Sequence, residues 1–480
     1  MVLVQKNFKL FTAMRKKALY KFPSPKFYIY FFAGLATIRF IVALVAAFRP
    51  ITSPHVWRQV DTLSVAFRYW QRFSLEENHA LWFFPAILNS ADTYGYMLME
   101  FPLLNLLLSP AFMFGIEIGR IIAHVLLVLL VVTLGMSNFR IWQRVRLPLF
   151  GENRMEMIAW ASALFPFFSF CSGFTFKCIP DVISVQLVIL SLGLLLRNHL
   201  GVAIFCAVLG CLMKPVSIFA FGFFAIFFIE GRKSLSLKVT GVFCLCAVST
   251  LYYYGKFLPS FAHLIELEGK FAVNPRSFLV NILSLKNQSW LSVLDFFNFH
   301  FFVPWALVVL LFFNYKKLRL RFVLGMIALQ LLAVILVDGS HAFVHAYYFS
   351  CAAPLATYLF FRLLGSNQVL GAIILILTLV RTSENIAADF KNFDKSSKVA
   401  VMFDECEKFK LEHAEFPWGR NYVFRSSEEM YPLLGLCFGE RQDSKKSQFG
   451  FFYLNDNLPS DCLEISRQRE IKIVRCTRVM

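Results

Sequence analysis

The sequence predicts a polytopic α-helical membrane protein, and three observations predict it. The first is composition: 58% of the 480 residues are apolar and 57 of them are Phe, with a mean hydropathy of +0.60. Soluble globular chains do not carry that excess. The second is a series of apolar runs of roughly 15–22 residues, the length of membrane-crossing helices. The third is that these runs do not alternate in ten-residue strands as a membrane barrel requires. About eleven transmembrane helices are expected over residues 1–383, followed by a small α/β domain over 384–480 outside the membrane.

Charge divides the chain at the same place. The net charge is +18, yet residues 1–383 hold 33 Lys and Arg against 14 Asp and Glu, whereas 384–480 hold 15 against 16. The excess therefore belongs to the membrane part, where cytoplasmic loops favour Lys and Arg. It argues against a nucleic-acid partner and suits anionic lipid or a phosphate-bearing substrate.

The elements follow in order. The N-terminus is basic, with Lys6, Lys9, Arg15, Lys16, Lys17, Lys21 and Lys26, and the first apolar run lacks a small-residue cleavage site, so it reads as an uncleaved anchor. That first span covers about 27–48, with Arg39 inside it facing other helices or snorkelling. A long polar segment, 49–101, forms the first outer loop. It includes a surface amphipathic helix with Leu63, Ala66, Phe67, Trp70 and Phe73 on one face and Asp61, Arg68 and Arg72 near the other. The short apolar stretch 103–116, with Pro110, reads as a half-buried helix. Further spans are expected near 119–139, 156–173, 180–197, 199–213, 215–230, 236–254, 293–313, 320–337, 346–364 and 368–382.

The loops test the orientation. Starting inside, the cytoplasmic loops carry Arg140, Arg144, Arg146 and Arg154, then Arg197, then Arg232, Lys233 and Lys238, then Lys316, Lys317, Arg319 and Arg321, then Arg362. The outer loop 338–345 has no Lys or Arg. The pattern is positive-inside. It places the N-terminus in the cytoplasm, the tail outside, and Asp61, Asp92, Glu100, Asp181, Lys214, His341 and His345 at the outer face.

The tail has turn signals at 416–419 and 455–459. Phe449–Leu454 and Ile471–Cys476 read as strands, and 397–412 and 426–436 as helices. Of the eleven Cys, those at 171, 178, 206, 211, 244, 246 and 351 lie in or beside apolar runs and read as inert core residues. No pair has metal-finger spacing. Cys406, Cys437, Cys462 and Cys476 could form disulfides in an extracytoplasmic tail, with the pairing open.

The candidate site starts from His55-Val56-Trp57-Arg58-Gln59-Val60-Asp61, polar chemistry set directly after the first span. Asp61 could serve as a general base on an acceptor hydroxyl or amine, bind a cation, or simply pair with Arg58. Asp92 and Glu100 are the other acids singled out in this loop, and either could pair with Asp61 in the site as a second acid; solvation is the favoured account of Asp92, while Glu100 abuts Phe101-Pro102 and an apolar run and needs a partner. Asp181 follows Pro180 at a helix start, where complementing the helix dipole would account for it. Lys214 before Pro215 interrupts two apolar runs and calls for either an anion or a snorkelling route. His341 and His345 are spaced i,i+4 without an accompanying Glu, and Tyr347 and Tyr348 suit an aromatic belt or a bound phosphate or sugar. No Walker loop, dinucleotide fingerprint, nucleophile elbow or Cys-x-x-Cys is present. Without a nucleotide site, an enzyme with outward-facing chemistry needs an activated donor from the membrane, and a lipid-phosphate sugar fits.

These residues resemble a known family. Trp57-Arg58-Gln59-Val60-Asp61 after the first span is similar to the first outer loop of GT-C glycosyltransferases, in the branch holding protein O-mannosyltransferases, lipid A aminoarabinose transferases and related bacterial enzymes. Glu100-Phe101-Pro102, Pro180-Asp181, Lys214-Pro215, and His345-Ala346-Tyr347-Tyr348 followed by Pro354 match in the right order over most of the chain, as does a small α/β tail. Thr62 departs from the Asp-Glu pair many members carry, and the acceptor motifs of protein mannosyltransferases are not evident. The resemblance implies a metal-independent or weakly metal-linked inverting transfer of a sugar from a polyprenyl phosphate. It implies Asp61 as the base, with Arg58, Lys214 and His345 or Tyr348 on the phosphate, in a bacterial inner membrane, and an acceptor that is lipid, glycan or protein. A transporter or flippase of a lipid-linked anion is the reading from another class. It would show inverted repeats, and none is visible.

Overall fold

The computed structural model describes residues 25–48, positions within 59–70, 101–145, 152–167, 175–224 with Ile226, 233–257, 318–338, 346–364, single helical positions between 376 and 386, and 424–426, 449–453, 462–468 and 471–476. The helices are α1 (Pro25–Ala47), α2 (Leu103–Leu108), α3 (Ile116–Gln143), α4 (Glu152–Leu164), α5 (Asp181–Leu196), α6 (Leu200–Met213), α7 (Lys233–Tyr252), α8 (Leu318–Asp338) and α9 (Ala353–Leu364).

Among the described residues, three stretches are long and apolar enough to cross a membrane: Lys26–Ala47, Ile118–Gln143 and Leu237–Phe257. On α1, Phe27, Tyr30, Ile38, Ile41 and Val45 are exposed. An apolar face of that extent is stable against lipid and unstable against water. The other apolar stretches among the described residues, Val323–Leu336 within α8 included, are shorter. At 16 residues, α5 is about 24 Å long at 1.5 Å per residue, less than a hydrocarbon core of about 30 Å. It is buried along most of its length and forms the hub, flanked by α3 and α6.

The expected span 215–230 takes a different form. Pro215–Phe224 is a ten-residue 3₁₀ helix. Pro215 cannot donate a backbone hydrogen bond, which ends α6 and restarts the chain in another geometry. The expected span 346–364 is likewise divided into a 3₁₀ turn over Ala346–Ala352 and α9, and α7 runs into a π-helical turn over Tyr253–Phe257. Such interruptions are tolerated at membrane depth only where protein satisfies the backbone. The expected span 293–313 and most of 368–382 lie outside the described residues.

In lipid, apolar helices gain little by burying greasy faces together, so close packing and polar clamps must hold them. Three clamps join α3 to α5. Asn138 donates to the Gln186 carbonyl at 3.1 Å, Gln186 donates to the Val131 carbonyl at 2.9 Å, and the Trp142 indole donates to the Ile189 carbonyl at 3.2 Å. The join of α5 to α6 is a tight left-handed cap: Asn198 has φ 61°, His199 N–H donates to Leu194 at 3.0 Å and Asn198 N–H to Leu195 at 3.0 Å. That is the Schellman arrangement with Asn in the glycine position. It folds α6 straight back along α5.

The first outer-loop helix is embedded more deeply than a surface amphipathic helix would be. Leu63, Ala66 and Phe67 are buried as expected, but Val65 and Tyr69 on another face are buried as well, against Leu106. Tertiary contact on a second side is invisible to a one-face hydrophobic pattern.

In the tail, β1 (Phe424–Ser426), β2 (Phe449–Tyr453), β3 (Cys462–Gln468) and β4 (Ile471–Cys476) form a sheet of order β1-β2-β4-β3. β1 and β2 are parallel and the other pairs antiparallel. β2 and β4 match the two expected strands. β1 is too short to signal itself, and β3 mixes charge into its alternation. The expected helix 397–412 lies outside the described residues, as does 426–436 beyond Ser426, which ends β1.

Gly210 controls the approach of α6 to α5. A Cβ there would lie 2.7 Å from the Ser184 carbonyl oxygen, whereas one at Gly201 meets nothing within 4 Å. Gly210→Ala is expected to lower stability by about 1–3 kcal/mol through overpacking. Gly201→Ala should be neutral or gain up to about 1 kcal/mol from helix propensity. Thermal unfolding of both variants in detergent checks this; equal effects would contradict the assigned contact.

Candidate functional site

The short contact between Gly210 and Ser184 sets the register of two antiparallel helices. Lys214 is one turn beyond Gly210, and Asp181 is nearly one turn before Ser184. The register brings Lys214 Nζ to 3.8 Å from Asp181 Oδ2, with both side chains inaccessible (4% and 0% exposed). Lys214 Nζ also sits 4.7 Å from the centre of the Tyr348 ring, within cation–π range. Three residues singled out separately in the sequence thus meet in one place. Lys214 does not snorkel to water; it is held among protein groups. Asp181 lies in the first turn of α5, so the helix dipole supports its charge, but it is also the carboxylate partner of Lys214.

Surrounding groups hold each member. Beyond the end of α6, the Ser217 hydroxyl lies 2.9 Å from the Gly210 carbonyl and 2.7 Å from the Lys214 carbonyl, beside the backbone donors Lys214 N–H and Ser217 N–H from which these two carbonyls also accept. The Ser184 hydroxyl donates to the Asp181 carbonyl at 2.6 Å. Gln330 of α8 donates to Phe219 at 2.7 Å and to Cys351 at 3.3 Å. It thereby ties the 3₁₀ helix after Lys214 to the 3₁₀ turn that carries Tyr348.

A second layer adjoins the pair. The Tyr254 hydroxyl donates to the Leu212 carbonyl at 2.6 Å and accepts from Phe101 N–H at 3.4 Å. Phe101 N–H also reaches the Leu212 carbonyl at 3.3 Å, and the Phe101 ring packs edge-on against Tyr253. The chain after Glu100 is therefore fastened two residues from Lys214. On the other flank, His124 Nε2–H donates to the Phe176 carbonyl at 2.7 Å, seating the 175–180 turn on α3 one turn beyond buried Arg120. Burial pushes the thiol of Cys178 in this turn up to about 12, against the opposing pull of Lys177 and Arg120, which keeps it protonated and inert.

The helix within 59–70 belongs to the same neighbourhood. Leu63, Ala66 and Phe67 share one apolar cluster with Phe176, Cys178, Ile183 and Met213. Ile183 is two residues from Asp181, and Met213 is adjacent to Lys214. Gln59 and Thr62 are buried, and Asn105 donates to the Thr62 carbonyl at 2.8 Å. Asp61, Arg58, Asp92, Glu100 and His345 lie outside the described residues. Among the described residues, no group of three His, Cys, Asp or Glu side chains could hold a metal.

Sequence reasoning did not single out Tyr254, Gln330 or Gly210. Gln330 carried a usable signal, as an uncharged polar residue in the middle of an apolar run. Tyr254 and Gly210 carried none, because Tyr and Gly are common in membrane helices.

No family model matches the sequence, and no curated protein matches it. Solved structures do resemble the fold. ArnT from Cupriavidus metallidurans in the apo state superposes with a TM-score of 0.51 at 11% identity, covering 94% of this chain and 98% of that one. The same protein bound to undecaprenyl phosphate gives a TM-score of 0.51 at 10% identity, over 92% and 97%. An oligosaccharyltransferase from Archaeoglobus fulgidus scores 0.44 at 11% identity, over 86% of this chain and 68% of that one. With nearly the full length of both chains matched, this membrane protein shares the fold of ArnT.

Proposed function

We propose that the chain is a glycosyltransferase that moves a sugar from a polyprenyl-phosphate donor to an extracytoplasmic lipid, glycan or protein acceptor. The observation that carries the reading is the buried Lys214, held over Tyr348 beside Asp181, next to the apolar cluster that joins Met213 and Ile183 to Leu63, Ala66 and Phe67. The likeness to ArnT, whose solved forms include one bound to undecaprenyl phosphate, supports the donor class.

In this reading Asp61 takes the proton from the acceptor hydroxyl or amine. The deprotonated atom attacks the anomeric carbon, and the bond from that carbon to the phosphate oxygen breaks with inversion. The departing phosphate gains negative charge, so fixed cations near it stabilise the transition state. Lys214 and Arg58 supply that charge, with His345 or Tyr348 as hydrogen-bond donors. Asp181 holds the Lys214 ammonium in place, and Glu100 or Asp92 provides the second acid. The chemistry belongs to residues 1–383 with the tail 384–480 outside a bacterial inner membrane, and the loop charges support that topology.

Asp61→Asn is expected to reduce transfer by about 10²–10⁴-fold while leaving polyprenyl-phosphate binding intact. Transfer assays and native mass spectrometry with undecaprenyl phosphate check both halves. Persistent transfer would remove Asp61 from the base role, and binding without any transfer in the wild type would favour a carrier.

Lys214→Met strands the Asp181 charge in a buried site and should cost about 3–5 kcal/mol of stability. Adding Asp181→Asn should restore most of that stability. The double variant should still bind undecaprenyl phosphate about tenfold or more weakly, the loss expected for one charge-assisted contact. Wild-type affinity in the refolded double variant would make the pair structural only.

A further inference from the structure

The described cysteines of the membrane part, Cys178, Cys206, Cys211, Cys244, Cys246 and Cys351, are thiols, most of them buried. The tail presents a different arrangement. β3 and β4 form an antiparallel hairpin in which Cys462 and Cys476 are directly opposed register partners. Opposed positions of an antiparallel pair share one face of the sheet, with Cα atoms about 4.5–5.5 Å apart. Disulfides span Cα separations of about 4.4–6.8 Å. The backbone register therefore selects one pairing among the tail cysteines that the sequence alone leaves open.

The hairpin has a physical need for a tie at that end. Gln468 pairs with Ile471, and only Arg469 and Glu470 stand between them in the sequence. Two-residue hairpin turns favour Gly, Asn or Asp, because their central residues take positive φ; Arg-Glu provides none of these. The register shifts between Glu464 and Ser466, and β3 is an edge strand paired within the described sheet to β4 alone. A connection without favoured turn residues, a register shift and an edge position all weaken register. A covalent link at the open end opposes each of them.

We propose that Cys462 and Cys476 form a disulfide that locks β3 onto β4. The inference rests on the outward-facing tail assigned under the proposed topology, since the bond persists only in an oxidising compartment. Two thiols lose two protons and two electrons as the sulfur–sulfur bond forms. The oxidant is the disulfide of a thiol-oxidising protein, which is reduced to a dithiol by exchange.

The test uses the full chain in its own membrane. Accessible thiols are blocked with N-ethylmaleimide under denaturing conditions, the protein is digested without reductant, and the peptides are mapped by mass spectrometry. The expected result is one linked peptide pair containing Cys462 and Cys476, which separates and takes up label only after reduction. Both residues alkylated before reduction, or either one linked to Cys406 or Cys437, would overturn the proposal. A second arm separates its failure from that of the topology. In Cys462→Ser, the remaining Cys476 should react with a membrane-impermeant maleimide applied to unbroken cells after the outer layers are made permeable. Labelling only after lysis would put the tail inside and remove both the disulfide and the outward-facing reading. Outside labelling combined with alkylated wild-type thiols would remove the disulfide alone.

Discussion

The arrangement depends on keeping a charge where there is no water. Lys214 and Asp181 are both buried, and a medium of low dielectric penalises each one severely when isolated. Each is stable there because α6 returns along α5 in a single register. The left-handed cap at Asn198 turns the chain, and Gly210 lets the two backbones approach at Ser184. The ion pair, at 3.8 Å, is longer than a charge-assisted hydrogen bond. It therefore acts through field more than through a fixed donor–acceptor geometry, which suits a cation that also faces an aromatic ring.

The rest of the bundle holds this pair in place by means that work in lipid. Asn138, Gln186, Trp142 and Gln330 each donate a side-chain hydrogen bond to a carbonyl on another element. Each gives an apolar helix a specific neighbour in a solvent where apolar contact alone confers little specificity. The irregular segments have the same logic. The 3₁₀ helices at Pro215–Phe224 and Ala346–Ala352 and the π turn at Tyr253–Phe257 all border the Lys214 neighbourhood. Ser217, Gln330 and Tyr254 hydrogen-bond the backbone within or beside these segments. Regular helix is interrupted around Lys214 and Tyr348, and side chains supply backbone partners there.

Much of this was legible in the chain itself. Asp181, Lys214 and Tyr348 stood out because charge or ring chemistry interrupts apolar runs. The segment boundaries near 181, 200 and 214 were legible from Pro180, His199 and Pro215. The expected span 215–230 was misread as regular helix, because hydrophobicity measures affinity for lipid and is silent on whether a segment has 3.6 or 3.0 residues per turn. The burial of Val65 and Tyr69 was hidden for a related reason: a pattern shows which residues tolerate burial, while packing decides which are covered.

The sequence by itself determined the medium, through the length and composition of its apolar runs, and marked the costly residues whose presence in that medium demands a partner. It did not determine which partner. That choice came from tertiary structure, because Lys214 meets Asp181 and Tyr348 only after separate helices are packed in one register. The register rests on a missing side chain at Gly210 and on carbonyl acceptors that every residue carries, and neither leaves a distinctive mark in a linear pattern.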